Sequence, residues 1–94
     1  MDKALQDRVV ANLLPYRPLR VSIFGSYARG EQNPESDLDI LVQFKEKISL
    51  LKLVQIEQAL SDVLGLTIDL VTENSIKNPR LKKYIEQDLI TIYE

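Results

Sequence analysis

The apolar positions of this chain change their period several times, and each change marks an element. In the first segment, about residues 2 to 14, Leu5, Val9 and Leu13 recur at four-residue spacing with Val10 and Leu14 beside them. Such spacing lays them on one face of a helix, which Pro15 ends. The run "LRVSIF", about residues 19 to 24, is continuous and β-prone, so it predicts a strand halted by Gly25. Ser26 to Gly30 predicts one helical turn, with Ser26 as N-cap and Gly30 as its C′ stop. The stretch "EQNPES" is a polar, turn-forming loop.

Alternation then takes over. In "DLDILVQF", Leu38, Ile40 and Val42 point one way while Asp37, Asp39, Leu41 and Gln43 point the other, the two-residue period of a strand. "SLLKLVQIEQALSDVLG" returns to a helical stripe of Leu50, Leu53, Ile56, Leu60 and Val63 or Leu64, closed by Gly65. "LTIDLVT" is a third strand with one acid, Asp69, in its middle. "NPRLKKYIEQD" predicts a last helix with Leu81, Tyr84 and Ile85 inward, and "LITIYE" a closing short strand or extended segment.

The resulting order is α, β, short α, β, α, β, α, β, with no repeat, low-complexity tract or long linker. Residues 1–94 are therefore read as a single α+β domain, a small mixed sheet of three to four strands flanked by helices. The strand, helix, strand unit from residue 37 to 71 favours a parallel pair joined by a right-handed crossover. That pairing would carry Asp37, Asp39 and Asp69 toward one end of the sheet.

Composition narrows the chemistry. Twelve Lys and Arg against fourteen Asp and Glu leave a net charge of -2, no basis for a DNA-coating protein or a membrane-surface binder. Without Cys or His the chain has no disulfide, no thiolate site and no histidine general base, so any metal it holds is a hard, oxygen-seeking one. The N-terminus lacks the apolar core of a signal peptide and no run reaches the ~20 apolar residues of a membrane span, so a soluble, cytoplasmic protein is expected.

Two groups of residues stand out against this background. Asp37 and Asp39, two apart on a strand, present their carboxylates side by side, about 5 to 7 Å apart. They repel, partial burial raises the pKa of at least one, and a cation between them relieves both effects. Asp69 adds a third charge if its strand is the neighbour, and the set then matches the oxygen ligands that Mg²⁺ accepts. Gly25 and Ser26 form the other group, where a strand becomes a short helix: a backbone open to close approach, unpaired N–H groups and a hydroxyl suit phosphate oxygens. Taken singly, each is ordinary, a capped turn or a solvated strand start. If the first two strands are antiparallel neighbours, the two groups form a phosphate clip beside a carboxylate cluster, the minimum equipment for phosphoryl or nucleotidyl transfer.

The stretch "GSYARGEQNPESDLDILV" resembles the signature of the polymerase-β-type nucleotidyltransferase superfamily: Gly-Ser, Ala-Arg-Gly, a short loop, then Ser-Asp-x-Asp. Ile68 to Val71 is similar to that superfamily's third-carboxylate strand, and with the ending "NPRLKKYIEQDLITIYE" the whole most resembles the minimal nucleotidyltransferase (MNT) branch, the antitoxins of HEPN-domain toxins. The resemblance implies a nucleotidyltransferase fold in which Asp37 and Asp39 hold two Mg²⁺ ions and Asp69 completes the site and takes a proton. It implies that Gly25 and Ser26 bind the β- and γ-phosphates of a nucleoside triphosphate. The implied donor is ATP and the implied acceptor a tyrosine of the HEPN toxin, whose adenylylation silences it. Since the elements use nearly every residue, the acceptor is expected to bring its own docking surface.

Several assignments stay open at the level of sequence. Arg29 either reaches the nucleotide phosphates or pairs with Glu31 or Glu35. Lys77, Arg80, Lys82 and Lys83 are read as the solvated face of the last helix. Tyr16, Tyr27, Tyr84 and Tyr93 are read as packing residues with wet hydroxyls, base stacking being the alternative for Tyr27. Two further functions use the same residues: a non-catalytic module that masks its toxin, and a nucleotidyltransferase for a small molecule or nucleic acid with a separate substrate-binding subunit.

Overall fold

Strands β1 (Pro18–Phe24), β2 (Leu38–Phe44), β3 (Ile68–Thr72) and β4 (Ile90–Tyr93) form one mixed sheet in the order β3-β2-β1-β4. This is a computed structural model describing residues 1–94. β1 runs antiparallel to both β2 and β4, and β2 runs parallel to β3, as the strand, helix, strand unit requires. The helices are α1 (Lys3–Leu13), α2 (Ser26–Arg29), α3 (Leu50–Leu64) and α4 (Pro79–Gln87), with 3₁₀ turns at Leu14–Tyr16 and Glu73–Ser75.

Local chemistry starts each long helix. Asp2 caps α1 by accepting from the N–H of Ala4, Ser49 caps α3 by accepting from Lys52, and Asn78 caps α4 by accepting from Arg80 ahead of Pro79. The period-2 pattern then decides which side of the sheet each strand residue serves. Val21, Ile23, Leu38, Ile40, Val42, Ile68 and Leu70 point to one face and pack against Val9 and Leu13 of α1 and Ile56, Leu60 and Leu64 of α3. This is the main core. The other face carries a smaller cluster, Phe24 and Leu41 under Ile85 of α4. One helix on that face leaves most of it open, and the acids of β2 and β3 lie there. Glu57 of α3 accepts from the N–H of Leu70 at 2.9 Å, pairing a donor on the outer edge of the sheet.

Three expectations need correction. The buried stripe of α3 runs Ile56, Leu60 and Leu64, so of the two candidates for its last position Leu64 turns inward and Val63 does not, whereas Leu50, expected inward, is 77% exposed. Leu50 opens the first turn of α3, whereas the first buried residue of the helix is Ile56, so packing against the core begins further along it. On α4 only Ile85 is buried; Leu81 and Tyr84 are 46% and 49% exposed. The small Phe24 and Leu41 patch accepts one side chain and leaves the helix flanks free. Finally, β2 begins at Leu38, one residue after Asp37.

Candidate active site

The turn out of β1 is built for close approach. Gly25 has φ 74° and ψ −152°, a conformation other residues rarely adopt, and a Cβ there would overlap Oδ2 of Asp39. The strand can therefore turn into α2 directly against the β2 carboxylate only at a glycine. Gly25, not Ser26, is the N-cap of α2, and no side chain caps the turn. The reason is geometric: the strand-to-helix change occurs at the left-handed residue, which places Ser26 in the first helical position with its hydroxyl uncommitted to a cap. Gly30 closes α2 in the left-handed region as expected, its N–H donating to the carbonyls of Ser26 and Tyr27.

The loop from Glu31 to Ser36 folds on itself before β2. Asn33 Oδ1 accepts from the N–H of Glu35, and Ser36 Oγ accepts from the N–H of Asn33. The N–H of Leu38 donates to the carbonyl of Thr67 at 2.9 Å, so the register of β2 on β3 is set at the first residue after Asp37. In that register Asp39 lies opposite Asp69, and across the antiparallel pair it lies opposite Phe24. The fold thus brings Gly25, Ser26, Asp37, Asp39 and Asp69 to one end of the sheet.

The three acids differ in setting. Asp37 and Asp69 are exposed while Asp39 is partly buried between strands. Burial, then the charges of Asp69 and Asp37, push the Asp39 carboxyl up to about 6, and Arg29 pulls weakly the other way. A mid-strand acid is costly unless its face is wet or its charge paired. Asp69 is wet, and Asp39 carries the unrelieved charge. No three His, Cys, Asp or Glu side chains in the structure are gathered closely enough to hold a metal ion by themselves. Mg²⁺ does not need such a cage, since it is held through one or two carboxylates with waters and substrate phosphates completing its shell. An oxygen-only donor set around an under-compensated carboxylate, beside a glycine turn open to phosphate, fits that ion.

Arg29, at the end of α2, makes two ion pairs: Nε with Oε2 of Glu31 at 3.1 Å and Nη1 with Oδ2 of Asp88 at 3.3 Å. Of its two sequence candidates the structure selects Glu31, not Glu35, and adds Asp88, which follows α4. Tyr84, Glu31 and Asp88 together hold the guanidinium above its already high ordinary pKa, so it stays charged. Tyr27 is buried in the main core as a packing residue. Tyr84 does not pack inward; it stands half-exposed beside Arg29. Lys77, Arg80, Lys82 and Lys83 are exposed as expected. A cavity of about 530 Å³ beneath α4, lined by residues including Arg20, Leu41, Glu73 and Ile85, contains none of the three acids. Asp88 and Tyr84 escaped sequence reasoning because they meet Arg29 from the far end of the chain, Asp88 being 59 positions away, and no motif spans that distance.

A glycine turn set directly against a row of carboxylates on a small mixed sheet defines a class, and comparison with known proteins agrees. The chain belongs to the nucleotidyltransferase domain family, whose family model matches residues 5–92. Its relatives narrow this further. A Methanocaldococcus jannaschii protein described as a candidate protein adenylyltransferase is 57% identical over 77 residues, covering 82% of this chain and 79% of that protein. Protein adenylyltransferase MntA of Thermococcus cleftensis is 45% identical over 67 residues, covering 71% of this chain and 68% of that protein. A toxin-antitoxin complex solved with AMP-PNP contains a chain of the same fold, with TM-score 0.84 at 22% identity over 94% of this chain and 72% of that one. The same holds for a complex of tri-AMPylated Shewanella oneidensis HEPN toxin with its MNT antitoxin, at TM-score 0.80 and 19% identity over 99% of this chain and 72% of that one. The fold is the minimal nucleotidyltransferase fold, and the protein is a nucleotidyltransferase.

Proposed function

We propose that this protein transfers AMP from ATP to a hydroxyl, that of a tyrosine, on a HEPN-domain toxin and so acts as its antitoxin. The observation that carries the reading is the pairing of a charge-burdened Asp39 with Asp69 and Asp37 directly against the Gly25 turn. A fold selected for stability alone gains nothing from that concentration of charge. The naming of relatives as protein adenylyltransferases supports the reaction, and the HEPN complexes of structural neighbours support the partner.

In this reading the Gly25 turn and Ser26 hold the β- and γ-phosphates, with Arg29 adding charge at the far end of α2. Asp37 and Asp39 would hold two Mg²⁺ ions, with Asp69 completing the set. When bound, the ions lower the pKa of the acceptor hydroxyl and neutralise charge on the departing pyrophosphate. The hydroxyl oxygen attacks the α-phosphorus, the bond from that phosphorus to the β-phosphate bridge oxygen breaks, and Asp69 receives the hydroxyl proton. The products are AMP esterified to the acceptor and pyrophosphate. With only α4 over this face of the sheet, positioning of the acceptor falls to the partner's own surface.

Asp39→Asn separates catalysis from masking. In cells expressing the toxin, the wild-type chain should restore growth while the variant, though still co-purifying with the toxin, should not. Equal protection by the variant would replace transfer by masking.

A further inference from the structure

Arg29 is gripped from two sides, by Glu31 in the next loop at 3.1 Å and by Asp88 at the far end of the chain at 3.3 Å. The two partners differ. Glu31 is 67% exposed and two residues away, so it moves with α2 and fixes little. Asp88 is 29% exposed, ends α4 and immediately precedes the turn into β4, whose Ile90 pairs with Ile23 of β1. Its carboxylate is therefore tied to the sheet through a second route, independent of α2. Ile85, one turn earlier, anchors the same helix on Phe24, the residue before Gly25.

We propose that Asp88 is a positioning residue for the triphosphate: it holds the Arg29 guanidinium at the phosphate turn, so that α4 and β4 complete a clip begun by Gly25 and Ser26. This inference rests on the assignment of that turn to the β- and γ-phosphates. A free arginine side chain samples many rotamers, and ordering it before the ligand arrives removes that cost from binding. Because Asp88 touches Arg29 and not the ligand, its contribution should exist only through Arg29 and only for ligands with phosphates beyond the first.

The test is binding of ATP, inorganic tripolyphosphate and AMP, each with Mg²⁺, to the wild-type protein, Asp88→Asn, Asp88→Glu, Arg29→Ala and the double variant Arg29→Ala with Asp88→Asn. Asp88→Asn should weaken ATP and tripolyphosphate roughly tenfold, the scale of one charge-assisted hydrogen bond. AMP should be unaffected, Asp88→Glu should recover part of the loss, and Asp88→Asn should add nothing in the Arg29→Ala background. Additive losses, an equal loss for AMP, or unchanged or tighter triphosphate binding would overturn the inference; tighter binding would mean that Asp88 competes with phosphate for Arg29. Failure of the wild-type protein to bind tripolyphosphate would instead overturn the phosphate assignment of the turn. Should Asp88→Asn not fold, Asp88→Glu and the Arg29→Ala pattern across the three ligands still decide.

Discussion

Asp39 of β2 and Asp69 of β3 are direct register partners in the parallel pair, and their carboxylates occupy one face of the sheet. They are not equivalent. Asp69 is on the exposed edge strand, whereas Asp39 lies between two strands, opposite Phe24 on one side and Asp69 on the other. Burial and repulsion therefore fall mainly on Asp39, and its raised pKa is the electrostatic mark of the site.

Asp39→Asn removes the most burdened charge without changing shape. Transfer should fall by on the order of 10³-fold or more, as expected when a principal electrostatic group is lost. The metal-free variant should nevertheless melt higher than the wild type at pH 7.5, by about 4 °C if roughly 1 kcal/mol of repulsion is relieved. Paired thermal melts and activity assays check this opposition of stability and function.

The same residue fixes the sign of a pH effect. Its carboxyl titrates at about 6 in the folded chain against an ordinary 3.8, so between those values the folded state holds more protons than the unfolded one. Its contribution to stability is complete below about 3.8 and is lost as pH rises through about 6. Metal-free wild-type protein should lose stability relative to Asp39→Asn as pH rises from about 3.8 to about 6 and should change little above that. Mg²⁺ should bind more tightly across the same rise, because the proton must leave first. Melts with and without Mg²⁺, in both proteins, measure each effect.

Much of this site was legible in the sequence because its signals are local. The two-residue spacing of Asp37 and Asp39, the Gly25 stop and the β-prone run around Asp69 each depend on a few neighbouring positions. The topology followed from the long helix between β2 and β3, which compels a parallel return. Tertiary context supplied the rest. The exposure of Leu50 depends on where along α3 packing against the core begins, and the outward stance of Tyr84 on how small a patch receives α4. The N-cap moved from Ser26 to Gly25 because the left-handed turn, invisible in composition, sits at the glycine. Asp88 reached the site only through folding of the final helix and strand.

Gly25 tolerates no side chain. Gly25→Ala should destabilise the fold by about 1 to 3 kcal/mol from backbone strain alone, and the added Cβ would also displace the Asp39 carboxylate. Urea denaturation should show the lower midpoint, and ATP binding should be lost even where the variant remains folded. Ser26→Ala, by contrast, should leave the midpoint within about 0.5 kcal/mol, because its side chain caps nothing.

The central claim is nucleotidyl transfer to a protein, and the direct measurement is label transfer from α-labelled or γ-labelled ATP, with Mg²⁺, to the co-purified partner, run beside Asp39→Asn. Label should enter the partner from the α-position only and should be absent with the variant. Label from the γ-position would mean phosphoryl transfer, and no label in a complex that binds ATP and Mg²⁺ would contradict the account.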